Sequence, residues 1–146
     1  MLMNLTFLGH LTGRLEYVDE ASRLGQALSH EVDRAPQAHT HLLSALDLAL
    51  GPSYETVICG DSRSEDTQFM LKALNKHFLP HNVVVFRPAE TEHPEIAEIA
   101  PFTEFQTCID GKPTAYVCQN YACNVPTTDT AEMLRMLEEG RRSILL

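Results

Sequence analysis

Through the first fifty residues apolar side chains return every third or fourth position; near Thr56 the period changes. Residues 3–12 carry Leu5, Leu8 and Leu11 with Phe7 beside them, which predicts a helix stopped by Gly13. Leu15, Val18, Ala21, Leu24, Leu28 and Val32 predict a second, amphipathic helix. Pro36 opens a third, with Leu42, Leu43, Leu46, Ala49 and Leu50 as its apolar face and Gly51-Pro52 as its stop. The first helix starts inside its own pattern, with no capping residue before it. The expectation is a boundary cut through a larger helical domain.

After that point the pattern reads as strands alternating with helices. Thr56 to Cys59 is a short buried strand, and Ser62-x-x-Glu65 has the form of a capping box. The helix that follows carries Phe69, Met70, Leu71, Leu74 and Phe78 and ends at Pro80. Val83 to Phe86 is an uninterrupted apolar run, suited to a strand covered on both faces. A short helix over Glu95–Ile99 lies between Pro94 and Pro101, with Phe102 and Phe105 as core anchors after it. Thr114 to Cys118 predicts a third strand. Asp129 and Glu132 predict a capped last helix ending near Gly140. The fold class is therefore α/β: three N-terminal helices over residues 1–52, then a small, mainly parallel three-stranded sheet with flanking helices over 53–146. Two sheets fit. Either 56–59, 83–86 and 114–118 are all parallel, or 107–110 also pairs with 114–118 as an antiparallel edge through an Asp110-Gly111 turn.

Composition narrows the function. A net charge of −9 argues against nucleic acid and anionic membrane surfaces, which both call for basic patches. No apolar run approaches a membrane span, and the N-terminus lacks the basic region of a signal peptide. Four cysteines are too few for a disulfide scaffold and fit reduced thiols in a cytoplasmic protein.

The stretch 112–132, KPTAYVCQNYACNVPTTDTAE, carries the densest candidate chemistry. Cys118 ends a strand and Cys123 follows in a loop. The spacing leaves three readings open: two buried packing thiols, a reversible Cys118–Cys123 disulfide, or half a metal site. The disulfide needs the loop to fold back within bridging distance. The metal site lacks visible further ligands, so no metal and no cofactor are expected. If the three strands are parallel, their carboxyl ends gather Cys59, Asp61 and Ser62 with Arg87 and with Cys118 to Tyr121 at one edge, the usual ligand position in open α/β sheets. Asp61, Arg87 and Asn120 are the binding candidates there. His39 and His41 fall on different helix faces, and His77, His81 and His93 lie at element ends. No serine sits in a nucleophile elbow.

Three stretches, AYVCQNYACNVPTTD preceded by DGKPT, TVICGD before a helix, and PQAHTHLLSALDLALGP, resemble the C-terminal region of the large thioredoxin-domain-containing, spermatogenesis-associated family. The resemblance covers nearly the whole chain and is most specific at the cysteine stretch. It implies a parent protein in which a thioredoxin-like domain is joined to an (α/α)6 toroid of the N-acylglucosamine 2-epimerase or six-hairpin glycosidase type. Residues 1–50 would then be the last toroid helices. The family's thioredoxin-type C-x-x-C is absent here, so neither a redox nor an epimerase activity transfers to particular residues.

The leading expectation is a non-catalytic structural or interaction domain. Its partner is the remainder of the parent chain, or a second copy through the truncated helices. The alternatives are a thiol-redox role for Cys118 and Cys123 and small-molecule, carbohydrate-related binding at the sheet edge.

Overall fold

The computed structural model describes residues 1–142, with side chains through Glu139; the last four residues of the 53–146 segment lie outside the described residues. In chain order the elements are α1 (Leu2–Thr12), α2 (Leu15–Arg34), α3 (Thr40–Leu50), β1 (Tyr54–Gly60), α4 (Glu65–Asn75), β2 (Asn82–Pro88), α5 (Ile96–Ile99), β3 (Thr114–Gln119), β4 (Ala122–Cys123) and α6 (Thr130–Arg142). Single 3-10 turns at Pro36–His39 and Pro101–Thr103 precede α3 and follow α5.

The sheet order is β2-β1-β3-β4. β1 and β2 are parallel, as expected for strands joined through α4. β3 is antiparallel to β1, so the expected parallel third strand is corrected. The reason lies in the connection. A parallel return needs a crossover that ends at the edge where β1 and β2 begin. The segment between β2 and β3 instead crosses the α1-covered face, where Phe102 meets Tyr121 and Gln106 reaches Cys118, and comes back to the edge where β2 ended. β3 therefore starts there, with Thr114 beside Cys59, and runs back. The edge strand is β4, paired with β3 through an Asn120–Tyr121 turn. Residues 107–110 contribute one isolated bridge, Ile109 to Lys112, around the left-handed Asp110 and Gly111.

One sheet face packs Ile58, Ala115 and Val117 against Met70 and Leu74 of α4 and Met133 and Leu137 of α6, all buried. The other packs Val57, Val83 and Val85 against Phe7 and Leu11 of α1 and against Ile96 and Phe102. Burying one such side chain is worth roughly 1.5–3 kcal/mol, so these two layers hold the sheet. α1 thus serves two clusters: Leu2, Met3 and Leu5 turn instead toward Ala21 and Leu24 of α2 and Ala45 of α3. Gly13, left-handed at φ 70°, ends α1 with its N–H on the Gly9 carbonyl.

Several local expectations shift. α3 buries Ala45 and Leu48, while Leu43 and Leu50 face outward, because its inner stripe is rotated onto α1. Phe105 is exposed and only Phe102 anchors the segment. Ser62 makes no cap for α4; it bonds Glu90, and Ser64 occupies the N-cap position. Asp129 does cap α6, accepting from the Ala131 N–H at 2.7 Å, but Glu132 pairs with Arg135 rather than closing a box. The backbone of α6 stays helical past Gly140 to Arg142.

Candidate functional site

Strand alternation places every second residue of β1 on the α1-covered face, and the pairing register aligns its neighbours. Three rows result. Arg87, Cys59 and Thr114 form the first, Val85, Val57 and Tyr116 the second, and Val83, Glu55 and Cys118 the third. Two of the sheet's three cysteines, Cys59 and Cys118, therefore share this face with one arginine and one carboxylate.

The third row carries a connected latch. Cys118 and Cys123 sit opposite each other across the β3–β4 hairpin and are joined as a disulfide, five residues apart in sequence, with Cα atoms 3.8 Å apart. Cys118 is fully buried and Cys123 is exposed, so the reading of two buried packing thiols is corrected for Cys123. Gln106 Nε2 points at both sulfurs, 3.7 Å from Cys118 and 3.5 Å from Cys123. The disulfide brackets Asn120 and Tyr121, which are left-handed at φ 50° and 62°. Two positive φ values suit a two-residue hairpin turn; asparagine tolerates this cheaply and tyrosine does not. Tyr121 is held by three contacts. Its hydroxyl donates to the Gly9 carbonyl of α1 at 2.8 Å. Its N–H donates to Glu55 Oε2 at 3.3 Å. Its ring meets Phe102 edge to face at 5.3 Å. Desolvation, with the Glu55 charge adding to it, pushes the Tyr121 phenol up, so the hydroxyl stays a donor.

Glu55 is wholly buried, and its other oxygen meets His10 Nδ1 of α1 at 2.9 Å. Ser53 Oγ lies 2.9 Å from His10 Nε2, so serine, histidine and carboxylate occur in the order of a hydrolase triad. The geometry is not that of a triad. The same Oγ is 3.4 Å from Nδ1, whereas an in-line bond to Nε2 would leave Nδ1 nearly a ring width further off. Oγ therefore lies over the ring, away from the Nε2 lone pair, and Ser53 is itself buried. The arrangement fastens α1 to the sheet and gives no activated nucleophile.

Beside this latch, a groove of about 700 Å³ runs between α1, α2 and α3. Val18, Ala21, Gly25, Leu46 and Ala49 give it an apolar floor, with His10 and Tyr121 at one end. Of the α2 stripe expected to be covered, only Ala21 is buried, while Leu15 and Val18 are exposed.

The three binding candidates are not brought together. Asp61 is exposed and accepts from the Arg63 N–H in a turn. It lines a shallow cavity with Ser62, Pro88 and Glu90, where Ser62 bonds pull the Glu90 carboxyl down to about 2. Arg87 is buried and turned to the covered face. Asn120, carried away by the antiparallel β3, lines the groove at the opposite edge. Among the described residues no cluster of histidine, cysteine and carboxylate side chains has the makings of a metal site. Of the three histidines at element ends, His77 and His93 are exposed, whereas His81 is largely covered and bonds Asp47 at 2.7 Å. The reading from sequence missed His10 and Glu55. The available signal was a carboxylate at an inward position of a strand and a histidine within an apolar helix.

Against known proteins, the chain is similar to spermatogenesis-associated protein 20 from Homo sapiens, at 29% identity over 134 residues. The same protein from Rattus norvegicus is 27% identical and that from Mus musculus 26%, each over 136 residues. These alignments cover 92–93% of this chain and 17% of each relative, so the chain spans about a sixth of their length. No protein-family model matches it. No solved structure matches it. No described helix is long and apolar enough to cross a membrane.

Proposed function

We propose that the chain is a non-catalytic interaction domain of a larger protein, corresponding to the C-terminal region of the thioredoxin- and toroid-containing family it resembles. The groove between α1, α2 and α3 is the docking surface, and its occupant is helical chain from the rest of that protein. One observation carries this reading: α2 is strongly amphipathic yet buries only Ala21. An apolar stripe left partly open, with Leu15 and Val18 exposed and Leu24 and Leu28 only half-covered, seeks cover. The small residues Ala21, Ser22, Gly25 and Ser29 let a helix approach closely, and the match to about a sixth of much longer relatives supplies a source for it. The buried His10–Glu55 pair and the misaligned Ser53 favour a structural role over a hydrolytic one.

Deprived of that partner, the isolated chain self-associates through the same face. Sedimentation velocity over a hundredfold concentration range should show mass rising with concentration, and Val18→Glu should return it to the monomer. A monomer at every concentration sinks the docking reading.

A second reading, thiol redox, is favoured by the disulfide that joins Cys118 to the exposed residue Cys123. Reduction there would free the Asn120–Tyr121 turn that fastens α1 beside the groove, so the redox role would be control of docking. Reducing the bond with a dithiol and repeating the sedimentation tests it: unchanged association in the reduced chain rules out such control.

A further inference from the structure

The first row of the covered face holds a second pair of sulfurs. Cys59, fully buried on β1, lies 2.8 Å from Cys108, which sits on the covering segment and reaches partly to solvent. The two are free thiols inside van der Waals contact. Beside them Arg87 is 4% exposed and has no carboxylate partner. Its Nη1 points to Cys59 Sγ at 3.7 Å, its Nη2 donates to the Glu104 carbonyl at 3.3 Å, and its Nε has no partner. A guanidinium so deeply buried calls for a counter-charge. Among the described residues Glu92 and Glu104 line the cavity beside it without forming an ion pair with it, and the acidic groups next to the guanidinium in this row are the two thiols. A cavity of about 360 Å³ opens onto Cys59, Arg87 and Cys108, with Thr107, Glu104 and His93 around its mouth.

We propose that Cys59 and Cys108 are a second redox pair, a dithiol that exchanges with low-molecular-weight disulfides entering this cavity, with Cys108 as the attacking sulfur and Arg87 holding the negative charge of the Cys59 thiolate. The site is independent of the Cys118–Cys123 bond, whose row lies four residues away along β1, about 13 Å at strand rise. With one proton removed the pair is a thiol–thiolate couple. Burial and the neighbouring sulfur push the Cys108 thiol up to about 12, whereas Arg87 Nη1, 3.7 Å from Cys59 Sγ, is placed to hold negative charge on that sulfur. Cys108, the sulfur facing solvent, passes its proton across the 2.8 Å gap as it attacks one sulfur of RS–SR. An S–S bond breaks, RS⁻ leaves, and Cys108 carries a mixed disulfide. Cys59 then yields that proton to the departing thiolate and attacks the Cys108 sulfur. The second RS⁻ is expelled and the Cys59–Cys108 bond forms. Two protein thiols are oxidised and one disulfide is reduced to two thiols. Arg87 acts as a positioning residue for the thiolate.

The probe is glutathione disulfide added to the folded, unaltered chain, with products mapped by tandem mass spectrometry under non-reducing conditions. The expected product is a Cys59–Cys108 linkage lighter than the dithiol by two hydrogens, formed through a transient glutathione adduct on Cys108. Arg87→Met should slow its formation roughly tenfold, the effect of raising a thiol pKa by about one unit, while Arg87→Lys keeps most of the rate. If the Arg87→Met chain does not fold, Cys108→Ser decides: Cys59 should then stay unmodified. A stable adduct on Cys108 that never resolves, no reaction short of unfolding, or Cys59 modified in Cys108→Ser at the unaltered rate would each overturn the assignment. Loss of the Cys118–Cys123 bond in the same spectra bears on the other pair alone.

Discussion

Replacing Cys118 and Cys123 by alanine isolates what the hairpin bond contributes to the α1 fastening. The bond closes a loop of five residues. Chain-entropy bookkeeping for so short a loop gives about 2 kcal/mol. For a chain of this length that is a fall in melting temperature of about 4–8 °C. Tyr121→Phe, made separately, removes the hydroxyl donated to the Gly9 carbonyl at 2.8 Å and costs about 1 kcal/mol. The informative quantity is the coupling between them. Tyr121 adopts its left-handed conformation because the bracketing disulfide, the Glu55 bond and the Phe102 contact all constrain it. Without the disulfide the turn can relax and carry the hydroxyl away, so Tyr121→Phe should cost less in the cysteine-free hairpin. Urea unfolding of the four chains in the double-mutant cycle should return an interaction energy of at least about 0.5 kcal/mol. Additivity within about 0.3 kcal/mol would refute the latch, because disulfide and tyrosine would then act as unrelated local features.

Two further outcomes follow from the same network and from the β1–α4 turn. His10→Ala leaves the buried Glu55 side chain with only the Tyr121 N–H and should destabilise by about 1–3 kcal/mol in chemical unfolding; adding Glu55→Gln should recover part of that loss, and no recovery would mean the two residues do not act as a pair. Glu90, held to about 2 by Ser62 from an ordinary 4.5, has a depressed folded-state pKa, so its contribution is present above pH 4.5 and is lost as pH falls through about 2. Carboxyl NMR titration should find that low value, and Ser62→Ala should return it toward 4.5 and flatten the acid limb of stability.

What could be read from the sequence divides along physical lines. Element types came through wherever a long period carried them: the 3.6-residue stripes of α1, α2 and α4 and the valine run of β2 appear where expected. Direction did not, because strand orientation is set by the edge to which the connection delivers the chain, and the apolar run of β3 does not encode that edge. The cost fell on the candidate site. A parallel sheet would have put Asn120 beside Arg87; reversal sent Asn120 to the groove end and brought Thr114 to Cys59 instead. Both thiol pairs also depend on placement invisible to spacing. Cys118 and Cys123 meet because a two-residue left-handed turn lies between them, in a sequence, Asn-Tyr, that lacks the usual glycine. Cys59 and Cys108 meet because the covering segment folds over the first row of the sheet, 49 residues along the chain. The α3 stripe was misjudged by a fraction of a turn, since exposed Leu43 and Leu50 score as apolar whether or not anything covers them.

The proposed docking of α2 against helical chain of a longer protein is tested most directly by hydrogen exchange, measured on this chain alone and on full-length human spermatogenesis-associated protein 20. The account predicts that α2 amides exchange far faster than those of β1 in the isolated chain, because only Ala21 is buried, and that the matching segment of the full-length protein is protected to a similar degree as its strand. An α2 segment that exchanges as fast in the full-length protein as in this chain would contradict it.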